Sequence, residues 1–333
     1  MLTELHRPIV AAPMAGGVST PALAAATASG GGLGFLAGGY RTVAAMAQQI
    51  QQLRALTSAP FGVNLFVPGR DTAQPAPVAA YRDRIAPEAH RLGVEPGPAE
   101  WHDDDYSAKV AHLAADPVAV VSFTFGLPTP QQRRQLRRAG SLLMATVTST
   151  AEARLAAEAG MDALCVQGTE AGGHQGSFDD VHERTTPLVD LLGAVRAEVN
   201  LPLVAAGGIA DAAAARLALR AGAAAVQVGT VLLRCPESGA SATHRAALAD
   251  PRFTRTRVTR AFSGRRARGL ENRFLVEQDA AAPAAYPQVH YLTGPLRAAA
   301  ARRGEAEALH LWAGTGWRSA SERPAAEVVA QLG

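Results

Sequence analysis

Ala163-Leu-Cys-Val-Gln167 runs directly into Gly168-Thr-Glu-Ala-Gly-Gly-His174. The first segment is a short apolar run of the kind that forms a strand buried on both faces. The second is too rich in glycine to continue as a helix. One histidine is therefore presented just beyond the C-terminal end of a strand. The same pattern recurs at Leu203-Val-Ala-Ala-Gly-Gly208 and Ala225-Val-Gln-Val-Gly-Thr230. A parallel barrel builds its active site at the C-terminal ends of its strands. Backbone amides freed of side-chain bulk can cradle a phosphate there.

Working outward, eight such strands are expected: Pro8–Ala12, Gly32–Ala37, Phe61–Phe66, Val118–Phe125, Leu142–Val147, Ala163–Gln167, Leu203–Ala206 and Ala225–Val228. Alanine-rich helical stretches separate them. Thr20-Pro21, Thr150-Ala-Glu152 and Asp211 read as helix starts, and Gly160 and Gly222 as helix ends. Strand and helix alternating in this way predict an α/β fold, a (β/α)8 TIM barrel. Two stretches break the rhythm. Residues 67–105 form a long insertion after the third strand, a candidate lid or homodimer contact. Residues 236–333 form a smaller helical and irregular addition that returns over the barrel mouth. The expected domains are therefore a barrel core, 1–235, and an addition, 236–333, that completes the active site.

Composition narrows the function. The chain has 333 residues, 48% of them hydrophobic and 18% charged, with a net charge of +3. That suits a soluble enzyme and gives no reason to expect nucleic acid as a partner. Lys109 is the only lysine, so Schiff-base chemistry at a strand end is excluded, and no P-loop exists. Cys165 and Cys235 show neither metal nor disulfide spacing. No signal peptide and no membrane-spanning run is evident, so a cytoplasmic location is the default. The string Gly32-Leu-Gly34-Phe-Leu-Ala37 imitates a dinucleotide fingerprint, but it lies in or before a strand instead of opening a helix. Asp103-Asp104-Asp105 reads as the start of the helix that holds Lys109, favoured by the helix dipole. A metal site with His102 is set aside, and no metal is assigned. Arg265-Arg266-Ala-Arg268 reads as a surface or anion-steering cluster.

Several residues could carry chemistry. Pro13, Met14 and two glycines end the first strand with a surface on which a flat ring could rest. Asn64, Gln167 and Gln227 interrupt apolar strands near their ends. Buried amides need partners, and three at one barrel mouth suit a hydrogen-bonding heterocycle. His174 is the group placed to titrate near neutral pH.

Together these segments resemble the nitronate monooxygenase family, formerly called 2-nitropropane dioxygenases. The matching pieces are Ala12-Pro-Met-Ala-Gly-Gly-Val-Ser-Thr20, Gly62-Val-Asn64, Val121-Ser-Phe-Thr-Phe-Gly-Leu-Pro128, Gln167–His174, Ala206-Gly-Gly-Ile209 and Gln227-Val-Gly-Thr230. Tyr286-Pro287 and Leu311-Trp-Ala-Gly314 look familial too. The resemblance implies an FMN-dependent flavoprotein on a TIM barrel, a cytoplasmic oxidoreductase acting as a monooxygenase. It would oxidise alkyl nitronates, or nitroalkanes, with O2 to carbonyl compounds and nitrogen oxides. It implies that Met14, Asn64, Gln167, Gly172 and Gly208 contact FMN. Gln227, Val228, Gly229 and Thr230 would close around its phosphate, and His174 would be the active-site histidine. Thr124, Tyr286 and His290 would face substrate. The chain departs from the pattern at Thr124, where relatives often carry histidine, and after Tyr286-Pro287, where a tyrosine and a lysine are usual. Without that lysine, a carboxylated nitronate is left with His290 or an arginine of the C-terminal addition. Simple alkyl nitronates are then expected to be used at least as well. The competing readings are a flavin-dependent NAD(P)H reductase, of quinone or enoyl-thioester type, and a non-catalytic FMN-binding protein.

Overall fold

The computed structural model describes residues 4–333. In chain order its strands are β1 (Ile9–Ala11), β2 (Gly34–Ala37), β3 (Phe61–Phe66), β4 (Val120–Thr124), β5 (Leu142–Val147), β6 (Ala163–Gln167), β7 (Gly173–His174), β8 (Leu203–Ala206), β9 (Ala225–Val228), β10 (Thr256–Thr259) and β11 (Ala267–Leu270). Eight form one parallel sheet in the order β1-β9-β8-β6-β5-β4-β3-β2. These are the eight strands expected from the sequence. A bridge between Val10 and Leu33 joins the two edges, so the sheet closes into a TIM barrel.

Alternation along each strand sorts the side chains into two cores. Val10, Phe35, Val120, Met144, Cys165 and Val204 fill the barrel interior. Their neighbours Ile9, Leu36, Val121, Leu143, Leu164 and Leu203 point outward, under the helices. A fully buried aliphatic side chain contributes about 1.5–3 kcal/mol, and this layer continues around the whole barrel. Two glycines make room in it. A Cβ on Gly62 would lie 2.3 Å from the Phe35 ring, and one on Gly34 would lie 2.3 Å from the Ala24 carbonyl oxygen. Gly34 therefore serves close packing of the helix Pro21–Ser29, as its place in β2 requires. Cys165 is packed in the interior, where burial pushes its thiol up to about 12.

The helix starts follow local chemistry. Thr20 and Asp211 accept the amides of Leu23 and Ala214. The cap of the helix Thr150–Glu158 is Ser149, one residue before the expected Thr150; its hydroxyl accepts the Glu152 amide. Gly160 and Gly222 follow their helices in left-handed conformation, with φ of 75° and 99°.

The insertion contains the helix Pro75–Arg91. Its Val78, Tyr81, Ile85 and Ala89 share a second core with Phe253, Phe262, Phe274, Val289, Leu292 and Leu296 of the C-terminal segment. The Tyr81 hydroxyl donates to the Ala261 carbonyl at 2.5 Å. The two departures from the barrel rhythm thus pack on one another. The last helix, Ala325–Leu332, instead joins the barrel's outer core through Val328, Val329 and Leu332. Asp103-Asp104-Asp105 does precede the Lys109 helix, but no carboxylate caps it. Asp104 instead pairs with buried Lys109 at 2.8 Å and accepts the Tyr40 amide at 2.9 Å. A buried ammonium needs a charged partner, and that requirement outweighs the dipole. His102 accepts the Asp104 amide and Asp103 accepts the Asp105 amide, so both are engaged in the local turn.

Candidate active site

His174 sits in β7, which belongs to a second sheet ordered β10-β11-β7. His174 pairs with Ala267 and Gly173 with Arg268, antiparallel. The histidine turn is therefore held by main-chain bonds from the C-terminal segment. Its glycines are required by space and by backbone conformation. A Cβ on Gly172 would lie 2.4 Å from the Gly314 nitrogen, and Gly173 has φ of 74°. Glu170 of the same turn accepts the Leu188 amide at 3.1 Å and so caps the next helix. Gln167 brackets the turn: its amide nitrogen donates to the His174 carbonyl at 3.1 Å, and its oxygen accepts the Gly176 amide at 2.7 Å.

The hydrogen bonds fix the tautomer of His174. Ser263 Oγ donates to the Arg265 carbonyl at 3.0 Å. A hydroxyl has one hydrogen, so toward His174 Nε2, 2.8 Å away, Ser263 can only accept. Nε2 carries the proton and Nδ1 is left with its lone pair. Burial, with help from the charges of Arg265 and Arg297, pulls the His174 pKa down to about 3. The imidazole is neutral across the ordinary pH range.

Aromatic rings surround it. Phe125, Tyr286 and Trp312 lie 5.9, 5.7 and 5.7 Å away, centroid to centroid. The Tyr286 hydroxyl donates to that of Tyr40 at 3.0 Å. The Tyr40 ring stacks on His290 at 3.9 Å and 9°.

A cavity of about 240 Å³ opens at the C-terminal ends of the barrel strands. Met14, Asn64, Thr124, Gln167, Gly172, His174, Gly208, Gln227, Val228, Gly229, Thr230 and His290 all line it. Tyr286 is not in its wall; it stands behind, against His174 and Tyr40. The three amides expected there have separate fates. Both ends of Gln167 are engaged in the histidine turn. Asn64 donates to Ser122 Oγ at 2.9 Å and Thr124 Oγ1 at 3.0 Å, which leaves its oxygen as an acceptor. Gln227 Oε1 is buried with no partner. The amides of Gly208 and Gly229, beyond β8 and β9, make no hydrogen bond within the protein.

Other members of the site had no numbered place in the sequence reading. Tyr40, Phe125, Ser263, Arg297, His310 and Trp312 all contribute, five of them in the cavity wall with Ser263 and Phe125 beside His174. Arg297 had a signal: it follows His290 by seven residues in the helix Gln288–Arg303, hence on the same face. The Arg265–Arg268 cluster is not on the surface, contrary to expectation. It leads into and occupies β11. Arg266 reaches Asp180, Arg268 donates to the Thr169 carbonyl at 2.8 Å, and Arg265 lies 4.0 Å over the Phe125 ring. Pairing with β7 draws these stems inward.

A family model described as nitronate monooxygenase matches residues 1–333. The chain belongs to the nitronate monooxygenase family. Members of this family are generally flavin-dependent. The chain is 42% identical to a nitronate monooxygenase of Pseudomonas aeruginosa, covering 99% of this chain and 96% of that protein. It is 36% identical to a probable nitronate monooxygenase of Bacillus subtilis, covering 96% and 92%. Among solved structures it is similar to nitroalkane oxidase from Streptomyces ansochromogenes, with a TM-score of 0.97 and 51% identity over 99% and 96% of the two chains. FabK from Thermotoga maritima is more distant, with a TM-score of 0.77 and 27% identity over 99% and 93%. No helix among the described residues is long and apolar enough to cross a membrane.

Proposed function

We propose that this protein is an FMN-dependent oxidase of alkyl nitronates, using O2 and releasing a carbonyl compound and nitrogen oxides. The observation that carries this reading is His174: a neutral imidazole with an unprotonated Nδ1, on a glycine turn in the wall of a cavity that also holds an unpartnered amide oxygen.

The residues present suit a flavin mononucleotide. Gln227 Oε1 is a buried acceptor without a donor, and a buried polar atom left so costs about 1–3 kcal/mol. The imide N–H of an isoalloxazine is the kind of donor it lacks, and Asn64 offers a second acceptor. Gly208, Gly229 and Thr230 lie beyond the seventh and eighth barrel strands, where this fold commonly holds phosphate. There is one such cradle and no dinucleotide fingerprint, so FMN is expected and not FAD. Met14 and the glycines give the ring a flat wall. When bound, the flavin supplies one-electron chemistry between nitronate and O2.

The protein's own residues then select the substrate's charge state. His174 is too weak a base, with a pKa of about 3, to deprotonate a neutral nitroalkane efficiently. Buried Arg265 and Arg297 make the cavity electropositive, which suits an anion already formed. Phe125, Tyr286 and Trp312 screen His174 from water.

An anaerobic cuvette tests this directly. The yellow holoprotein should be bleached by ethyl nitronate and not by NAD(P)H, and heat should release FMN. Bleaching by NAD(P)H alone would favour the reductase reading. No bleaching by either would leave only a flavin-binding protein. Released FAD would overturn the single-phosphate argument.

A further inference from the structure

Arg297 is 9% exposed and lines the cavity. Among the described residues it forms no ion pair; the phenols of Tyr40 and Tyr286 are the acidic groups whose fields reach it. Burial pulls its pKa down to about 10, so it is still a cation at neutral pH. A buried charge without a counter-ion is costly. Every other strongly buried cation is better provided for: Lys109 has Asp104, and Arg266 has Asp180.

Its hydrogen bonds go to neutral groups. Nε donates to Thr293 Oγ1 at 3.0 Å, and one terminal nitrogen donates to the His290 carbonyl at 2.7 Å. The same nitrogen lies 3.3 Å from His290 Nδ1, and the other lies 3.4 Å from His310 Nε2. A guanidinium has no acceptor, so each of these imidazole nitrogens must accept. That places the proton of His290 on Nε2 and the proton of His310 on Nδ1. His290 Nε2 has no partner among the described residues, and His310 Nδ1 is buried with none. Both rings line the cavity. One fixed positive charge thus orients two neutral imidazoles as N–H donors, and all three lack what they are arranged to meet.

We propose that Arg297, His290 and His310 form an oxyanion subsite that takes the terminal carboxylate of a short-chain ligand whose reacting carbon lies at His174. The second half of this statement rests on the function proposed above; the subsite itself does not. His290 connects to His174 through Tyr286, whose ring is 6.5 Å from His290 and 5.7 Å from His174. The span suits a chain of a few carbons. Arg297 is then the cation that the sequence appeared to lack, and the expected indifference to carboxylated nitronates is reversed.

The test uses the holoprotein. Calorimetric titration with propionate should show binding at least tenfold tighter than with propionamide, its neutral isostere. Arg297→Met should abolish the difference and Arg297→Lys should keep part of it. In turnover, propionate 3-nitronate should exceed propyl nitronate in kcat/KM by at least tenfold, and Arg297→Met should bring the ratio toward one. Equal binding of propionate and propionamide by the wild-type protein overturns the subsite, whether or not the variants fold. So does tight propionate binding retained in Arg297→Met. Arg297-dependent propionate binding with no nitronate oxidised would remove the proposed function and leave the subsite. Nitronate oxidation with no carboxylate preference and no propionate binding would do the reverse.

Discussion

His174 owes its state to its neighbours. Ser263 can only accept from it, because the serine proton is committed to the Arg265 carbonyl. Burial and two guanidinium groups then remove any tendency to protonate. Ser263→Ala takes away the acceptor that defines the Nε2–H tautomer, while Gln167 and β11 still hold the histidine main chain. A hydrogen bond of this kind is worth about 0.5–1.5 kcal/mol net. The variant should keep its FMN and lose roughly tenfold in kcat with ethyl nitronate, with KM changing much less. Equal loss in kcat and gain in KM would mean that Ser263 shapes the cavity and does not set the tautomer.

At the scale of elements, the decisive piece is the two-residue strand β7. Its partner β11 lies more than 90 residues downstream, yet it fixes where the histidine points. Gly172→Ala tests that arrangement. The added Cβ would meet the Gly314 nitrogen at 2.4 Å and the Ala313 carbonyl carbon at 2.6 Å, both backbone atoms that cannot swing aside. The barrel should still form, judged by an unchanged far-ultraviolet spectrum, while flavin content and nitronate turnover fall together. Full flavin occupancy with wild-type turnover would show that the 311–314 segment is free to move. The barrel strands and the histidine turn were legible because short apolar runs and glycine turns are local signals. β7 and β11 were not, because their pairing is non-local and two residues carry no periodicity. For the same reason the arginines of 265–268 resembled a surface cluster. Gln167, Asn64 and Gln227 all read as amides at a barrel mouth; sequence cannot distinguish an amide that braces a loop from one left open. Arg297 was visible only once the helix Gln288–Arg303 put it on the face of His290.

Across the whole molecule, the site imposes a cost that depends on pH. Four histidines of the cavity wall are held neutral, chiefly by burial. His174 is pulled down to about 3 and His244 to about 4. His290 and His310 lie well below the usual 6.5. In the unfolded chain each protonates near 6.5. Below that pH the unfolded state therefore binds more protons than the folded one, and stability must fall as pH falls. Each histidine contributes a slope of up to about 1.4 kcal/mol per pH unit, beginning below 6.5 and ending near its folded value. Asp104 works the other way, since burial raises its pKa, but it supplies one proton against four. Most other carboxylates stay ionised in both states between pH 7 and 5, so the histidines govern this window. The melting temperature of the holoprotein should be level from pH 8 to 7 and then drop by several degrees by pH 5, before ordinary acid unfolding begins. Saturating propionate should make the drop smaller, because an anion at Arg297 favours protonated imidazoles beside it. A melting temperature that is flat or rising from pH 7 to 5 would mean these histidines are charged in the folded protein, and His290 and His310 could not then accept from Arg297.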